Sequence, residues 1–198
     1  MKNLFITFLA ASLFTACSKD NTPPPEPDKL PEATMVGANT AGCYINGRLI
    51  IPKNGINGIS GSTSYGLDVF RGINFNHIPY GNDFFSIKFS NLQDIGPSYW
   101  IYIHLNNLTS GAVSYTLQQS NVQFFEDASN NPQIIVRETI NNVSGKTFIS
   151  TQNSGSIIIT RFDFVNHVIS GTFTASLQNQ NNPTEIINVT FGRFDIRI

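Results

Sequence analysis

Ile169-Ser170-Gly171-Thr172-Phe173-Thr174-Ala175-Ser176-Leu177 alternates without a break, with Ile169, Gly171, Phe173, Ala175 and Leu177 on odd numbers and hydroxylated residues on even ones. Successive side chains of a strand point to opposite faces, so this stretch predicts a β-strand with one face in a core and the other in water. A helix would need apolar residues three and four apart, and no segment of useful length has that period.

The flanking stretches extend the pattern. Ile157-Ile158-Ile159-Thr160-Arg161-Phe162-Asp163-Phe164 begins apolar on both faces, which suits a central strand covered on two sides, and Asn166-His167 turns the chain into the next strand. After a polar loop at 178–183, Ile187, Val189 and Phe191 are expected inward on odd numbers, but Phe194, Ile196 and Ile198 on even ones. The phase slips at Gly192, where a β-bulge accounts for both the glycine and the slip. Nearer the start, Asn46-Gly47 joins 43–45 to 48–51 as a hairpin, the dipeptide supplying the two positive φ angles of a type I′ turn. Further strands are expected at 67–70, 84–89, 99–105, 113–117, 122–126, 134–139 and 147–150, separated by Asn, Gly, Ser and Pro. The fold class is therefore all-β: a single antiparallel β-sandwich or flattened calycin-like barrel of about nine to eleven strands. Alternation is common to both, which differ only in closure.

The first twenty residues specify an address. Lys2 precedes an apolar run at 4–14 that is too short to cross about 30 Å of hydrocarbon, and so predicts a cleaved signal peptide over 1–16. Phe14-Thr15-Ala16-Cys17 resembles a bacterial lipoprotein signal, in which the Cys17 thiol receives a diacylglycerol; Phe14 stands where such signals usually carry Leu. Two or three acyl chains, at about 0.8 kcal/mol per buried CH₂, hold a protein on its membrane. The stretch 17–36 predicts a lipidated tether; within it 21–31, with Pro23, Pro24, Pro25, Pro27 and Pro31, favours extended polyproline II, a semi-rigid spacer of roughly 40 Å. Residues 37–198 then form one globular domain.

Lys and Arg number 12 against 13 Asp and Glu. So few and so balanced charges exclude a nucleic-acid partner, which needs clustered cations. With Cys17 acylated, Cys43 is the one remaining thiol. Its neighbours Tyr44 and Ile45 make it a small buried hydrophobe before a reactive group.

Three stretches carry a family resemblance: Gly37-Ala38-Asn39-Thr40-Ala41-Gly42-Cys43-Tyr44-Ile45-Asn46-Gly47; residues 155–163 with Ile169-Ser170-Gly171-Thr172-Phe173; and the ending Gly192-Arg193-Phe194-Asp195. Together they resemble lipoproteins of Bacteroidota built on a domain of unknown function. The resemblance implies a lipidated all-β protein of the outer membrane, and carries no activity or catalytic residue. Ser18-Lys19-Asp20 matches in part the short signature that directs surface display in that phylum, so the periplasmic face and the cell surface both stay open.

Candidate sites are few. Along 99–105, Tyr99, Ile101, Ile103 and Leu105 share one face, and Trp100, Tyr102 and His104 the other; exposed, that second row would stack on sugar rings or flat ligands. If the sheet is covered on both sides, it is core instead. Arg161 with Asp163 and Arg193 with Asp195 repeat one arrangement on two strands flanking a third, so they either grip a polar ligand or form ion pairs at the rim. His77, His104 and His167 fall on separate elements without zinc-type spacing, so no metal and no cofactor is expected. The adjacent carboxylates Glu126 and Asp127 do not make a calcium loop; Glu126, Glu138, Asp163 and Glu185 are present, but a glycosidase needs two of them to converge, which spacing alone does not establish. The expected function is non-catalytic: a lipid-anchored envelope protein binding a glycan, another small ligand or a partner protein. The alternative is a structural or accessory subunit of an outer-membrane complex with no small ligand. A carbohydrate-active enzyme ranks below both.

Overall fold

The computed structural model describes residues 26–56, 63–72, 84–94, 96–106, 108, 111–123, 131–140 and 143–198; Cys17, the signal segment, His77, Glu126 and Asp127 lie outside them. The described chain is all-β. Its strands are β1 (Thr40–Ile45), β2 (Arg48–Ile50), β3 (Gly55–Ile56), β4 (Thr63–Ser64), β5 (Leu67–Arg71), β6 (Phe84–Phe89), β7 (Ser98–Asn106), β8 (Val113–Thr116), β9 (Gln133–Ile140), β10 (Val143–Ile149), β11 (Gly155–Asp163), β12 (Val168–Asn179) and β13 (Asn182–Arg197).

One antiparallel sheet runs β2-β1-β13-β12-β10-β9-β7-β6-β5, with β3 and β4 a separate ribbon. β12 divides one edge between two partners: its first part pairs with β11, which in turn pairs with β8, whereas Gln178 and Asn179 pair with Ile149 and Phe148 of β10. The sheet curls round one core into a half-barrel. Phe85 and Phe89 of β6 meet Phe194 of β13 and Phe173 of β12, with ring centroids 6.3 and 6.4 Å apart, although several strands separate them along the sheet. Such contacts between distant parts of one sheet are what burial of its concave face requires.

Local chemistry explains most elements. Asn46 and Gly47 take φ of 47° and 83°, and Ile45 pairs with Arg48 across the expected hairpin. The expected strand at 122–126 does not begin at Val122, whose φ is 65°. Buried Gln133 holds the chain there in a loop: its amide donates to Gln123 O and Asn121 Oδ1, and it accepts from Ser120 Oγ. The loop expected at 178–183 contracts to a turn at Gln180-Asn181. Ile158, expected under cover, is 43% exposed, because the outer face of β11 is open.

The bulge lies where the phase slips. Phe173 pairs with Gly192 but Ala175 with Val189, and Gly42 pairs with Arg193 but Tyr44 with Thr190, so β13 carries one extra residue against both neighbours. That residue is Phe191, at φ 53° and turned outward, where alternation placed it inward. Gly192 serves a different need: a Cβ there would lie 2.4 Å from the Phe173 ring.

Part of the stretch expected as a tether packs on the domain. Residues 28–38 lie as a strap across the outer face of the sheet: Asp28 pairs with Lys53, Leu30 covers Gly42, Arg193 Nη1 donates to Pro31 O (3.1 Å), and Arg161 Nη1 donates to Met35 O. Asp195 is the hub. Its carboxylate accepts from Thr34 Oγ1 (2.6 Å), Ser170 Oγ (2.7 Å) and the backbone N–H of Val36, Gly37 and Ala38 (2.8 to 3.1 Å). Burial pushes this carboxyl up, but the hydroxyl and backbone donors outweigh it and hold its pKa well below the usual carboxylate range.

Asp195→Asn keeps one acceptor and turns an amide N–H₂ toward several donors, so it should cost about 2 to 4 kcal/mol in urea denaturation at pH 7. A depressed folded-state pKa stabilises above the unfolded value near 4 and loses that contribution as pH falls below it. The wild type should therefore lose more stability between pH 5 and pH 3 than the variant; equal losses would mean that the carboxylate is not the hub.

Candidate functional site

β7 sends Ile101, Ile103 and Leu105 into the core and Trp100, Tyr102 and His104 to the opposite face, as alternation predicts. Register supplies their neighbours. Trp100 lies opposite Arg137, Tyr102 between Lys88 and Ile135, and His104 between Ser86 and Gln133. His104 is fully buried, with Nδ1 2.7 Å from Ser86 Oγ and its ring stacked on Phe84 at 5.7 Å, so it belongs to no exposed stacking surface. Tyr102 is 8% exposed beneath the Arg137 guanidinium, 5.3 Å from the ring centroid, and burial raises its pKa above the usual phenol value against the pull of Arg137.

Trp100 is half-buried. Lys88 Nζ sits 4.0 Å over its ring, Asp68 lies 3.5 Å from that ammonium, and the Tyr102 ring stands 6.5 Å away. Asp68, Lys88, Trp100, Tyr102 and Arg137 thus form a ladder in which cations already occupy aromatic faces. A flat ligand on the near face of Trp100 would first have to displace Lys88, at a cost of about 0.5 to 2 kcal/mol. The structure therefore brings Trp100 and Tyr102 together but covers what a sugar would use.

The charged pairs resolve differently. Arg161 and Asp163 form an ion pair at 2.6 Å, and Asp163 also accepts from Asn166 in the turn before β12; the Arg161 and Asn166 donors hold its pKa well below the ordinary carboxylate range. Arg193 and Asp195 do not pair with each other. Both arginines and Asp195 grip the chain's own strap, so the polar grip expected of them is filled from within.

His167 closes the β11–β12 turn at φ 54°, edge-on to Phe164. Among the described residues no three His, Cys, Asp or Glu gather as a metal group would. Glu138 engages the Tyr99 hydroxyl and Glu185 engages Lys146 and Asn179, on separate strands from Asp163. Cys43 is fully buried and desolvation drives its thiol pKa far up, which makes it a core residue, inert as a nucleophile.

Alternation along β13 missed the most distinctive surface of the domain. Phe191 is 69% exposed and stands as a ridge between two hollows of about 490 and 640 Å³ on the outer face of β1, β13, β12 and β11. Ala33, Ser156, Ile158, Thr172, Thr174 and Thr190 line the first; Lys29, Leu30, Tyr44 and Gly47 the second; Arg193 reaches both. The Tyr44 ring meets Phe191 edge-on at 6.1 Å. A bulky side chain at positive φ costs about 1 to 2 kcal/mol, and Phe191 gains little burial in return. The phase slip was the available signal, since a bulge leaves one residue unpaired; alternation could not say that it was the phenylalanine and not the glycine.

No protein-family model, curated protein or solved structure matches the chain.

Phe191→Gly should raise stability by up to about 1 kcal/mol in urea denaturation, because glycine takes positive φ freely. Phe194→Ala, three residues on in the core, should cost about 3 to 5 kcal/mol. Trp100 is the single tryptophan, so its fluorescence is unambiguous: quenching by acrylamide should be modest in the wild type and rise in Lys88→Ala. Full quenching in the wild type would contradict the cation cap.

Proposed function

We propose that the protein is a lipid-anchored component of the cell envelope, held in the outer membrane by acylated Cys17, whose β-domain binds a ligand without transforming it. Exposed Phe191 carries this reading. Strained, solvent-facing aromatic residues between concave surfaces are where binding energy is available and folding energy is not gained. Among the described residues lining the two hollows there is no carboxylate, thiol or histidine, so what lines them suits holding a ligand and not general acid–base chemistry.

The anchor and the strap fit one another. Asp28 lies eleven residue steps beyond Cys17; extended at about 3.1 Å per step, they would set the strap roughly 34 Å or less from the lipid. The domain would stand near the bilayer, with the Phe191 face beside its point of attachment.

Cys17→Ser should move the full-length protein from the detergent to the aqueous phase in a phase-partition assay; unchanged partition would remove the anchor. A thermal-shift screen of the detergent-solubilised lipoprotein against glycans, lipids, peptides and haem should give at least one positive. Ligand at about 100 times its dissociation constant stabilises by about 2.7 kcal/mol, or about 5 to 10 °C for a domain of this size. That shift should vanish in Phe191→Gly although the variant itself melts higher. A flat screen together with an integral envelope protein that co-purifies equally with wild type and variant would instead make the domain an accessory subunit.

A further inference from the structure

We propose that the Phe191 face takes an acidic oligosaccharide, a sugar chain bearing carboxylate, sulfate or phosphate; this rests on the reading of that face as a ligand site. Three features of the lining select the class.

The first is the ridge. Exposed Phe191, with the partly buried Tyr44 ring edge-on to it, offers an aromatic surface on the outer face of the sheet, on which the C–H face of a sugar ring stacks. The second is the floor. Partly buried Ser156 and Thr172 and exposed Thr174 and Thr190 place four hydroxyls around the ridge, and among the described residues none of these hydroxyls has a hydrogen-bond partner. Hydroxyls that both donate and accept suit a polyol, whereas an apolar peptide or an acyl chain would leave them desolvated and unmet.

The third is charge. Arg193 and Lys29 line the hollows, and no carboxylate accompanies them among the described lining residues. Arg193 is fixed from behind: Nη1 donates to Pro31 O at 3.1 Å and Nε to Phe191 O at 3.4 Å, which keeps the guanidinium at the ridge, with Nη2 unpaired among the described residues. In a chain otherwise so sparsely charged, a held guanidinium and an ammonium lining the same hollow complement an anionic substituent. From Ile158 on β11 to Tyr44 on β1 the face crosses three interstrand spacings, about 14 Å. That span accommodates a short oligosaccharide, with rings on either side of Phe191.

The test is binding of the full-length lipoprotein in detergent to three oligosaccharide sets of matched length: uronate-bearing, sulfated or phosphorylated, and neutral. Acidic sets should bind at least tenfold more tightly than neutral ones, and binding should weaken several-fold between 50 and 500 mM salt. Phe191→Gly should abolish binding, and Lys29→Gln, which leaves the strap's contacts to Asp195 intact, should weaken the acidic sets alone. Arg193→Gln should do so more strongly, with its melting temperature reporting any loosening of the strap. The better of the two acidic sets identifies the anionic group. Equal binding of neutral and acidic chains would overturn the acidic class while leaving the Phe191 site standing. No glycan binding, with some other ligand lost in Phe191→Gly, would overturn the sugar and keep the site. Acidic glycan binding unchanged in Phe191→Gly would overturn both.

Discussion

The extra residue in β13 is the constraint on which the rest of the molecule depends. A strand of 16 residues cannot follow a curled sheet with its inward face in one unbroken phase, because curl rotates the face away from the core. Inserting Phe191 resets the phase, so that Ile187 and Val189 before it and Phe194 and Ile196 after it all reach the same core. Gly192 completes the step by leaving room for the Phe173 ring, and Phe173 in turn packs on Phe89 and Phe194 across the half-barrel. Closure of the core and outward display of Phe191 are thus two results of one insertion.

Past the bulge, the same strand presents Asp195 to the outer face. A buried carboxylate without a cation is costly unless its lone pairs are met, and five donors meet them here. Three of those donors are successive backbone N–H groups of residues 36–38, a short concavity that the strap forms only by wrapping the carboxylate. A chain with few charges therefore uses one of them to fix the direction in which its N-terminal segment leaves the domain. The arginines at 161 and 193 add carbonyl contacts at either side, so the strap is held at three heights across the sheet.

Much of the fold was legible because period two is a physical consequence of strand geometry. The hairpin at Asn46-Gly47, the strands around residues 67, 84, 99, 113, 134 and 147, and the closing trio are where alternation puts them. What alternation cannot convey is which face is covered. Ile158 and Phe191 read as core yet face water, whereas the row Trp100, Tyr102 and His104, which alternation leaves open between surface and core, ends in a fully buried histidine. Coverage depends on pairings between residues far apart in sequence, such as Thr34 with Asp195, that leave no local signal. Val122 illustrates a second limit: a β-branched residue among other strand formers is pulled to positive φ by a tertiary hydrogen-bond set centred on Gln133. Composition predicts a tether for the proline-rich stretch, but it does not register that Leu30 finds a surface on Gly42.

The bulge itself does not require an aromatic residue. Asn or Gly at position 191 would satisfy the same backbone with less strain, and a polar side chain would not expose a ring. Stability therefore gives no reason for phenylalanine there, while it gives a reason for Gly192 and for every buried phenylalanine nearby. A residue that folding would discard is one whose justification must come from contacts outside the folded chain. The position meets that condition on both sides, since Thr190 and Arg193 flank it in sequence and line the same hollows with side chains on one face. Insertion of one residue thereby converts a strand that would alternate core and solvent into a row of three outward groups, an hydroxyl, a ring and a guanidinium, which an unbulged strand cannot place so close together.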